Sequence, residues 1–304
     1  MTALVPHETA ARSALPSPIA AQISYAPSAR SPAGRLLIRT VENLTGRMAL
    51  VRRARGYDAG LVPAGDLWRE MMRRYGLHLE LLGGSFDDVP TVGPMVMIAN
   101  HPYGILDGLV MGHILSALRG DFRLMAHAVL GNAPDLRQVV LPVDFSETTT
   151  ARRANIAMRG QAVAYLAGGG AIGVFPGGTV STAARPFEQP MDPVWRSFTA
   201  RLISRTGATV VPVWFEGANS RLFQLASHLH LNLRHALLLR EFRARVDRPV
   251  RLVIGTPIPA TRLAAFLGDS KAMMDFLRRS TYELAPRGLD AGRYGHEFEA
   301  HHKR

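Results

Sequence analysis

The clearest indication of fold in this 304-residue chain is Met95-Val-Met-Ile-Ala-Asn-His-Pro-Tyr-Gly-Ile-Leu-Asp-Gly108. Its first five residues are apolar, which is typical of a strand that is buried on both faces. A polar Asn-His pair and a Pro-Tyr-Gly turn follow, and a helical pattern begins at Ile105. A buried strand that turns directly into a helix is the repeating unit of an α/β sheet, and such sheets build their sites where the strands end.

The remainder of the chain alternates between strands and helices in the same way. Strand patterns are predicted over 78–82, 95–99, 122–126, 139–143, 171–175, 209–215 and 250–254. Helical patterns are predicted over 63–75, 105–118, 149–166, 193–205 and 269–284, and two short helices are predicted within 219–240. This alternation predicts an α/β fold with a mixed, largely parallel sheet that is flanked by helices.

The two ends of the chain differ in composition from this central domain, which we assign to residues 77–290. Residues 1–32 are rich in Ala, Pro and Ser and are predicted to form a disordered tail, and residues 291–304 form a polar C-terminal tail. Residues 33–76 begin with a basic amphipathic helix, which favours membrane association. Its apolar stripe consists of Leu36, Leu37, Val41, Leu44, Met48 and Val51. The alternative is a helix that packs on the core and exposes a solvated basic face.

The composition limits the kinds of partner and chemistry. The net charge is +12, and only Lys271 and Lys303 of the 36 basic residues are lysines. Such a balance favours nucleic acid, an anionic membrane or acidic metabolites as partners, but no recognised nucleic-acid-binding motif is present. The absence of cysteine excludes disulfides, thiolate metal sites and cysteine nucleophiles. With no apolar run of about 18 residues and no signal-peptide pattern, we expect a protein that touches a membrane from one side.

His101 and Asp107 are the candidate catalytic pair. A neutral imidazole can take the proton of a hydroxyl that attacks a thioester near neutral pH. A neighbouring carboxylate fixes the imidazole tautomer and stabilises the imidazolium that forms. The alternative is that Asp107 only caps the helix and that His101 is a structural turn residue.

Two later segments also deliver polar groups at the end of a buried strand. Gly173-Val-Phe-Pro-Gly-Gly-Thr-Val-Ser181 runs into a glycine turn, whose backbone N–H groups can cradle an oxyanion or a phosphate. Val210-Val-Pro-Val-Trp-Phe-Glu-Gly-Ala-Asn-Ser-Arg221 is the second such segment.

Taken in order, these three segments resemble the glycerolipid acyltransferases, the lysophosphatidic acid acyltransferases and their relatives, over roughly residues 75–260. The Asn-His-Pro and Leu-Asp-Gly elements are similar to those of the hemolysin-like bacterial branch, which is related to the enzymes that make ornithine lipids. The resemblance implies an O-acyltransferase that moves an acyl group from acyl-carrier protein or coenzyme A to a lysophospholipid or a lyso-ornithine lipid. It implies no further cofactor, membrane lipids as partners, and a peripheral position on the cytoplasmic side of the bacterial inner membrane.

The resemblance also implies roles for individual residues. His101 is the general base, and Asp107 orients it. The residues expected to bind substrate are Asn100, Gly104, Gly177, Gly178, Thr179 and Ser181.

The chain departs from the family pattern at both blocks. Five residues separate His101 from Asp107 instead of four, so a different turn must bring the pair together. Gly177 stands where the family has Glu, Val180 stands where it has Arg, and the branch has an acid at Thr179. These losses put a glycerol-phosphate type of acceptor in doubt. The candidates for substitute anion contacts are Arg152, Arg153, Arg185 and Arg221, each of which has a solvated surface position as its alternative.

Two other activities are compatible with the same residues. A thioester or lipid hydrolase would use water in place of the acceptor, and a catalytically inactive lipid-binding protein would explain the departures. The glycines of Gly168–Gly173 follow a helix and open a strand, which is the reverse of a dinucleotide-binding motif. His228, His230 and His235 do not share one helical face, so no metal site is predicted.

Overall fold

The structure is a computed structural model that describes residues 24–29, 31–55, 57, 66–127, 136–143 and 148–298. Its strands are β1 (His78–Gly83), β2 (Met95–Ala99), β3 (Arg123–His127), β4 (Val140–Val143), β5 (Ala171–Val174), β6 (Thr182–Ala183), β7 (Pro190–Met191), β8 (Thr209–Phe215) and β9 (Pro249–Ile254). Its helices are α1 (Pro32–Glu42), α2 (Met48–Arg53), α3 (Asp66–Arg74), α4 (Ile105–Arg119), α5 (Thr149–Ala167), α6 (Phe198–Thr206), α7 (Arg221–Leu229), α8 (Leu231–Arg243), α9 (Ala260–Leu263) and α10 (Ser270–Tyr282).

Seven strands form one sheet in the order β1-β9-β8-β2-β5-β3-β4, and β6 pairs with β7 in a separate hairpin. Every neighbouring pair in the large sheet is parallel except β8 and β9. The predicted α/β fold with a mixed, largely parallel sheet is therefore confirmed. The sequence did not predict the β6–β7 hairpin or α9.

Strand β2 occupies the middle of the sheet and is completely buried. Because side chains alternate along a strand, Met95 and Met97 pack on one face against the cluster that contains α3 and α4. Val96 and Ile98 pack on the other face against residues of α5, α6 and α10. The strand thus holds residues 100 and 101 at the centre of the sheet's carboxyl edge.

The N-terminal segment forms one helical run, because a π turn over Asn43–Arg47 joins α1 to α2. This run packs mainly on α8. The residues that it buries recur every four positions and are Gly34, Ile38, Glu42, Gly46 and Leu50. The stripe predicted from the sequence lies largely elsewhere, and four of its residues are exposed: Leu36, Leu37, Leu44 and Met48. No helix among the described residues has the length and apolar character that crossing a bilayer requires.

Residues 24–29 of the predicted disordered tail, and residues 291–298 of the polar C-terminal tail, pack on the domain. Ala26 and Ala29 are buried against the N-terminal helix, because Glu42 accepts hydrogen bonds from the Ser24 hydroxyl and the Tyr25 N–H. Residues 291–298 run along the domain, where the N–H of Gly295 donates to the carbonyl of Asp192. Residues 1–23, 30 and 299–304 lie outside the described residues, as do residues 63–65 of the predicted helix 63–75.

The helix predicted over 193–205 begins only at Phe198. Residues 193–197 instead pack against the turn that follows β5, because the N–H of Arg196 donates to the carbonyl of Pro176 at 2.9 Å. The indole of Trp195 donates to Asp192 at 2.9 Å and fixes this segment further.

Candidate active site

Asn100 fixes the end of β2 to the end of β8. Its Oδ1 accepts the N–H of Phe215 at 2.7 Å, and its Nδ2 donates to the carbonyl of the same residue at 2.9 Å. Asn100 is buried. The amide was expected to bind substrate, but the structure shows it bonded to the backbone of Phe215, which sets the position of the next residue, His101.

The turn after His101 brings Asp107 back beneath it. Gly104 has φ of +86°, a conformation that favours glycine, and a Cβ there would meet the side chain of Val180 at 3.1 Å. Asp107 follows in the first turn of α4, and its Oδ2 accepts the N–H groups of Tyr103 at 2.8 Å and Gly104 at 2.9 Å. The same oxygen lies 3.0 Å from Nδ1 of His101. Asp107 therefore both caps the helix and contacts the imidazole.

The surroundings of the pair favour proton transfer at one nitrogen. Asp107 is fully buried, and burial raises the pKa of its carboxyl above the ordinary 3.8, although the contact with His101 and the two backbone N–H groups oppose that rise. Nδ1 of His101 is buried, whereas the side chain as a whole is 17% exposed. Nε2 is therefore the nitrogen that is left for a substrate.

Residues Phe175–Ser181, here called the Phe-Pro loop, wrap around His101. The ring of Phe175 stacks on the imidazole with centroids 4.1 Å apart. At the other end, the N–H of Ser181 donates to the carbonyl of His101 at 2.8 Å. Gly178 closes the loop by donating its N–H to the carbonyl of Phe175 at 3.0 Å, so this donor is engaged within the protein. Thr179 is half-buried beside it.

Asp192 holds this arrangement together, although it belongs to none of the three motifs in the sequence. It is fully buried, and its Oδ1 accepts the Ser181 hydroxyl and, at 3.2 Å, the N–H of His101. Its Oδ2 accepts the indole N–H of Trp195, and its side chain lies 3.3 Å from where a Cβ on Gly177 would stand. The only signal in the sequence is an acid in a stretch that is otherwise apolar, Pro190-Met-Asp-Pro-Val-Trp195.

The arginines proposed as anion contacts are not brought to this pair. Arg152 and Arg153 are exposed in the first turn of α5, and Arg221 is exposed at the start of α7. In the part of the chain that the structure describes, no hydrogen bond joins them to His101, Asp107 or the Phe-Pro loop. Arg185 is also exposed.

The three histidines of the α7–α8 region are engaged separately. His228 contacts the carbonyl of Ala183 at 3.0 Å, His230 accepts the N–H of Asn232, and His235 contacts the hydroxyl of Ser28. No cluster of three metal-binding side chains occurs among the described residues.

Two cavities border the turn that follows His101. One of about 400 Å³ is lined by Tyr103 and Leu106 together with Arg245, Arg251 and Arg287. The other, of about 190 Å³, is lined by Asn100, Pro102, Ser181 and Trp214, among others. The His101 side chain lines neither of these cavities, so they adjoin the back of the turn and not the imidazole.

Comparison with known proteins places this chain in a family. A lyso-glycine lipid O-acyltransferase of Phocaeicola vulgatus is 26% identical over 201 residues, which are 64% of this chain and 69% of that protein. The crystal structure of the 1-acyl-sn-glycerophosphate acyltransferase PlsC of Thermotoga maritima aligns with a TM-score of 0.47 and 16% identity, covering 84% of this chain and 98% of that one. The acyltransferase family model matches residues 60–292, well over half of the chain. The protein therefore belongs to the acyltransferase family.

Proposed function

We propose that this acyltransferase transfers a fatty acyl group from acyl-carrier protein or coenzyme A to the hydroxyl of a lysolipid, such as a lysophospholipid or a lyso-ornithine lipid. The observation that carries the proposal is the 3.0 Å contact between Nδ1 of His101 and the buried, doubly hydrogen-bonded carboxylate of Asp107. The relative from Phocaeicola vulgatus, a lyso-glycine lipid O-acyltransferase, supports a lysolipid as the acceptor.

The geometry suits direct transfer without an acyl-enzyme. When the imidazole proton is on Nδ1, which lies 3.0 Å from Asp107 Oδ2, Nε2 of His101 carries the lone pair that removes the proton of the acceptor hydroxyl. The acceptor oxygen attacks the thioester carbonyl, and a tetrahedral intermediate forms. The C–S bond then breaks, and the thiolate takes the proton from the imidazolium. Asp107 stabilises the imidazolium between these two steps.

The contacts to substrate are assigned to the Phe-Pro loop and to the turn before α4. Of the predicted substrate-binding residues, Gly104, Gly177, Gly178 and Thr179 are proposed to contact the acceptor through van der Waals surface or free hydrogen-bonding atoms. Asn100 and Ser181 support the site without contacting substrate. The amide of Asn100 is hydrogen-bonded to the backbone of Phe215. The hydroxyl of Ser181 donates to Asp192, and its N–H donates to the carbonyl of His101. The exposed Arg152, Arg153 and Arg221 suit contact with acidic carrier protein or lipid headgroups.

The N-terminal helical run is assigned to peripheral membrane association on the cytoplasmic side of the bacterial inner membrane. Leu36 is 69% exposed and Leu44 is 79% exposed, although both belong to an ordered helix. Arg35 and Arg52 are exposed on the same run, and Arg55 is exposed just after its end. Exposed leucines beside arginines are the combination that binds an anionic lipid surface.

The test is an acyl-transfer assay with purified protein, acyl-carrier protein and coenzyme A thioesters, and a panel of lysolipids. We expect His101→Ala to lower transfer by about 10²–10⁴-fold because it removes the general base. His78→Ala is the matched control, since His78 is exposed on β1. A folded His101→Ala variant with wild-type activity would refute the assignment. Thioester turnover that needs no acceptor would indicate a hydrolase instead.

A lipid profile of a deletion strain identifies the acceptor independently. We expect one acylated lipid to disappear and its lyso form to accumulate. An unchanged lipid profile would favour a lipid-binding protein without catalytic activity.

A further inference from the structure

Helix α7 presents a stripe of leucines to solvent. Leu222, Leu225 and Leu229 recur at intervals of three and four residues and therefore share one face of the helix. They are 50%, 36% and 76% exposed, and Leu231 in the first turn of α8 is 50% exposed. The opposite face carries the side chains that α7 buries, which are Phe223, Gln224, Ala226 and Ser227. Exposed leucines that are grouped in this way mark an interaction surface, unlike apolar side chains that are scattered singly.

The stripe belongs to the same layer of helices as the N-terminal run. Both α1 and α7 pack on α8. Val41 of α1 packs against the apolar cluster that contains Phe223 and Ala226 of α7, so the three helices surround one cluster. The first turn of α1 also meets the first turn of α8, since a Cβ on Gly34 would lie 2.6 Å from Nδ2 of Asn232. The outward leucines of α1 and α7 are therefore on neighbouring elements of one layer.

The charge of this layer suits an anionic partner. Residues 31–55 and 219–243 contain ten arginines and only two acids, Glu42 and Glu241. Both acids are buried, whereas Arg35, Arg52 and Arg221 are exposed. A bilayer with anionic headgroups offers an apolar interior to the leucines and negative charge to the arginines. An acidic protein surface would match the arginines but leave the leucine stripe without an apolar environment.

The layer is attached directly to the Phe-Pro loop and to the hairpin that follows it. Arg234 of α8 donates to the hydroxyl of Thr179 at 2.9 Å and to the carbonyl of Val180 at 2.7 Å. On α7, the side-chain oxygen of Gln224 accepts the N–H of Ala183 at 3.0 Å, and His228 contacts the carbonyl of Ala183 at 3.0 Å. The outward face of α7 is thus one helix diameter, about 10 Å, from strand β6, which continues the loop.

We propose that α7 and the first turn of α8 form a second membrane-contact element, which inserts its leucines into the same anionic bilayer surface as the N-terminal run. This inference rests on the proposed peripheral membrane association and adds a second point of contact to it. Two contacts prevent the enzyme from rotating about the N-terminal run alone. The Phe-Pro loop consequently stays next to the surface that supplies the lysolipid.

The absence of cysteine from the chain allows a single label to report on each position. The variants Leu229→Cys on α7 and Leu44→Cys on the N-terminal run each carry a nitrobenzoxadiazole fluorophore. Leu267→Cys is the matched control, since Leu267 is 61% exposed in a loop outside these helices. We expect phosphatidylglycerol vesicles to shift the emission of the labels at 44 and 229 to shorter wavelength. Brominated acyl chains should quench both of these labels, whereas the label at 267 should respond to neither treatment.

The labels at 44 and 229 separate this inference from the proposed function, and neither measurement needs acyl transfer. A response at 44 without a response at 229 would overturn the inference and leave the N-terminal assignment intact. A response at 229 alone would support the contact through α7 and contradict the N-terminal assignment. A label at 229 that responds to acyl-carrier protein or to rising protein concentration, but not to vesicles, would identify a protein partner and overturn the inference.

Charge substitutions then measure the contribution of the stripe to affinity. Leu225→Glu and Leu229→Glu together should weaken binding to phosphatidylglycerol vesicles tenfold or more, because each substitution removes a leucine that would leave water for an apolar layer. The melting temperature should stay unchanged, since both side chains are exposed in the folded protein. Leu267→Glu is again the control. Wild-type vesicle affinity in the folded double variant would overturn the inference.

Discussion

Asp107 Oδ2 lies 3.0 Å from His101 Nδ1 and accepts the N–H groups of Tyr103 and Gly104 on the same oxygen atom. The helix cap and the contact with the imidazole thus depend on one carboxylate oxygen. Gly104, with φ of +86°, turns the chain so that two residues six positions apart meet. Asp107 therefore caps the helix and contacts the imidazole through the same oxygen, and a substitution that keeps this oxygen but removes the charge separates the cap from the proposed orienting role.

Asp107→Asn is that substitution. The amide oxygen still accepts the two backbone N–H groups, whereas the negative charge that stabilises the imidazolium is lost. We expect the rate of acyl transfer to fall by about 10²–10⁴-fold with little change in the melting temperature. Asp269→Asn is the matched control, because Asp269 caps α10 at an exposed position by accepting the N–H of Ala272 at 2.9 Å. A wild-type rate in Asp107→Asn would contradict the pairing.

The free energy of unfolding should depend on pH through the titration of the buried carboxyl of Asp107. Burial raises its pKa in the folded protein above the ordinary 3.8, so the folded state binds the proton more tightly than the unfolded state does. The stability that this proton contributes is complete below that ordinary value and is lost as pH rises through the folded pKa. Relative to Asp107→Asn, wild type should therefore lose unfolding free energy as pH rises from about 4. Denaturant unfolding of both proteins at several pH values measures the difference, and a wild-type advantage that grows with pH would contradict it.

We expect Phe175 to affect the rate of acyl transfer because its ring stacks on the imidazole of His101. Its ring stacks on His101 with an interplanar angle of 24°, so Phe175→Ala leaves the imidazole free to rotate away from Asp107. We expect a loss of about tenfold in kcat, because misplacing a catalytic group costs rate even when the group itself is intact. Phe175→Trp should keep most of the activity. Phe187→Ala is the control, since Phe187 is 73% exposed, and an equal effect of the two alanine variants would exclude a specific role for the stack.

Asp192 and Trp195 should be energetically coupled. Asp192→Asn can place its amide group opposite the indole N–H of Trp195, which now donates to Oδ2 at 2.9 Å, so two donors would face each other. We expect this variant to lose about 1–3 kcal/mol of unfolding free energy. Trp195→Phe removes the second donor, so the double variant should lose less than the sum of the two single losses. Additive losses in denaturant unfolding would indicate that the Trp195 contact does not determine the effect of Asp192→Asn.

Local patterns in the sequence were enough to predict most of the fold and the proximity of His101 and Asp107. Strand β2 is uniformly apolar because both of its faces are buried, and the helix after it starts where the turn residues end. The predicted strands 95–99 and 209–215 coincide with β2 and β8. His101 and Asp107 were recognisable because both lie within one strand–turn–helix unit, so their proximity needs no knowledge of the remaining chain.

Asp192 and Arg234 could not be found in that way. Asp192 meets His101 from 91 positions away, and Arg234 meets Thr179 from 55 positions away, so only the tertiary structure brings them together. Each is a charged residue that is buried, which no local pattern distinguishes from a charge on the surface. They lie beside Gly177 and Val180, two of the three positions at which the family resemblance leads us to expect a charge in the Phe-Pro loop.

Local periodicity also did not predict which face of the N-terminal helix packs on α8. The sequence shows leucines at helical spacing, but the packed side contains Gly34, Ile38 and Gly46, because small residues let the helix approach α8 closely. A Cβ on Gly46 would lie 2.5 Å from the carbonyl oxygen of Leu239. The leucines consequently face outward, where they are available to contact a lipid surface.

Leu36→Glu and Leu44→Glu together should weaken binding to vesicles of phosphatidylglycerol and phosphatidylcholine. Transferring one leucine side chain from water to an apolar layer is favourable by about 1.5–3 kcal/mol, so each substitution should cost tenfold or more in membrane affinity. The melting temperature should stay unchanged, because both side chains point outward in the folded protein. Leu267→Glu is the control, since Leu267 is 61% exposed in a loop outside this helix. Cosedimentation measures the affinities, and the arginines should make wild-type binding weaker as salt increases. If the double variant sediments like wild type, the outward leucines do not enter the lipid, and the helix serves the packing on α8 alone.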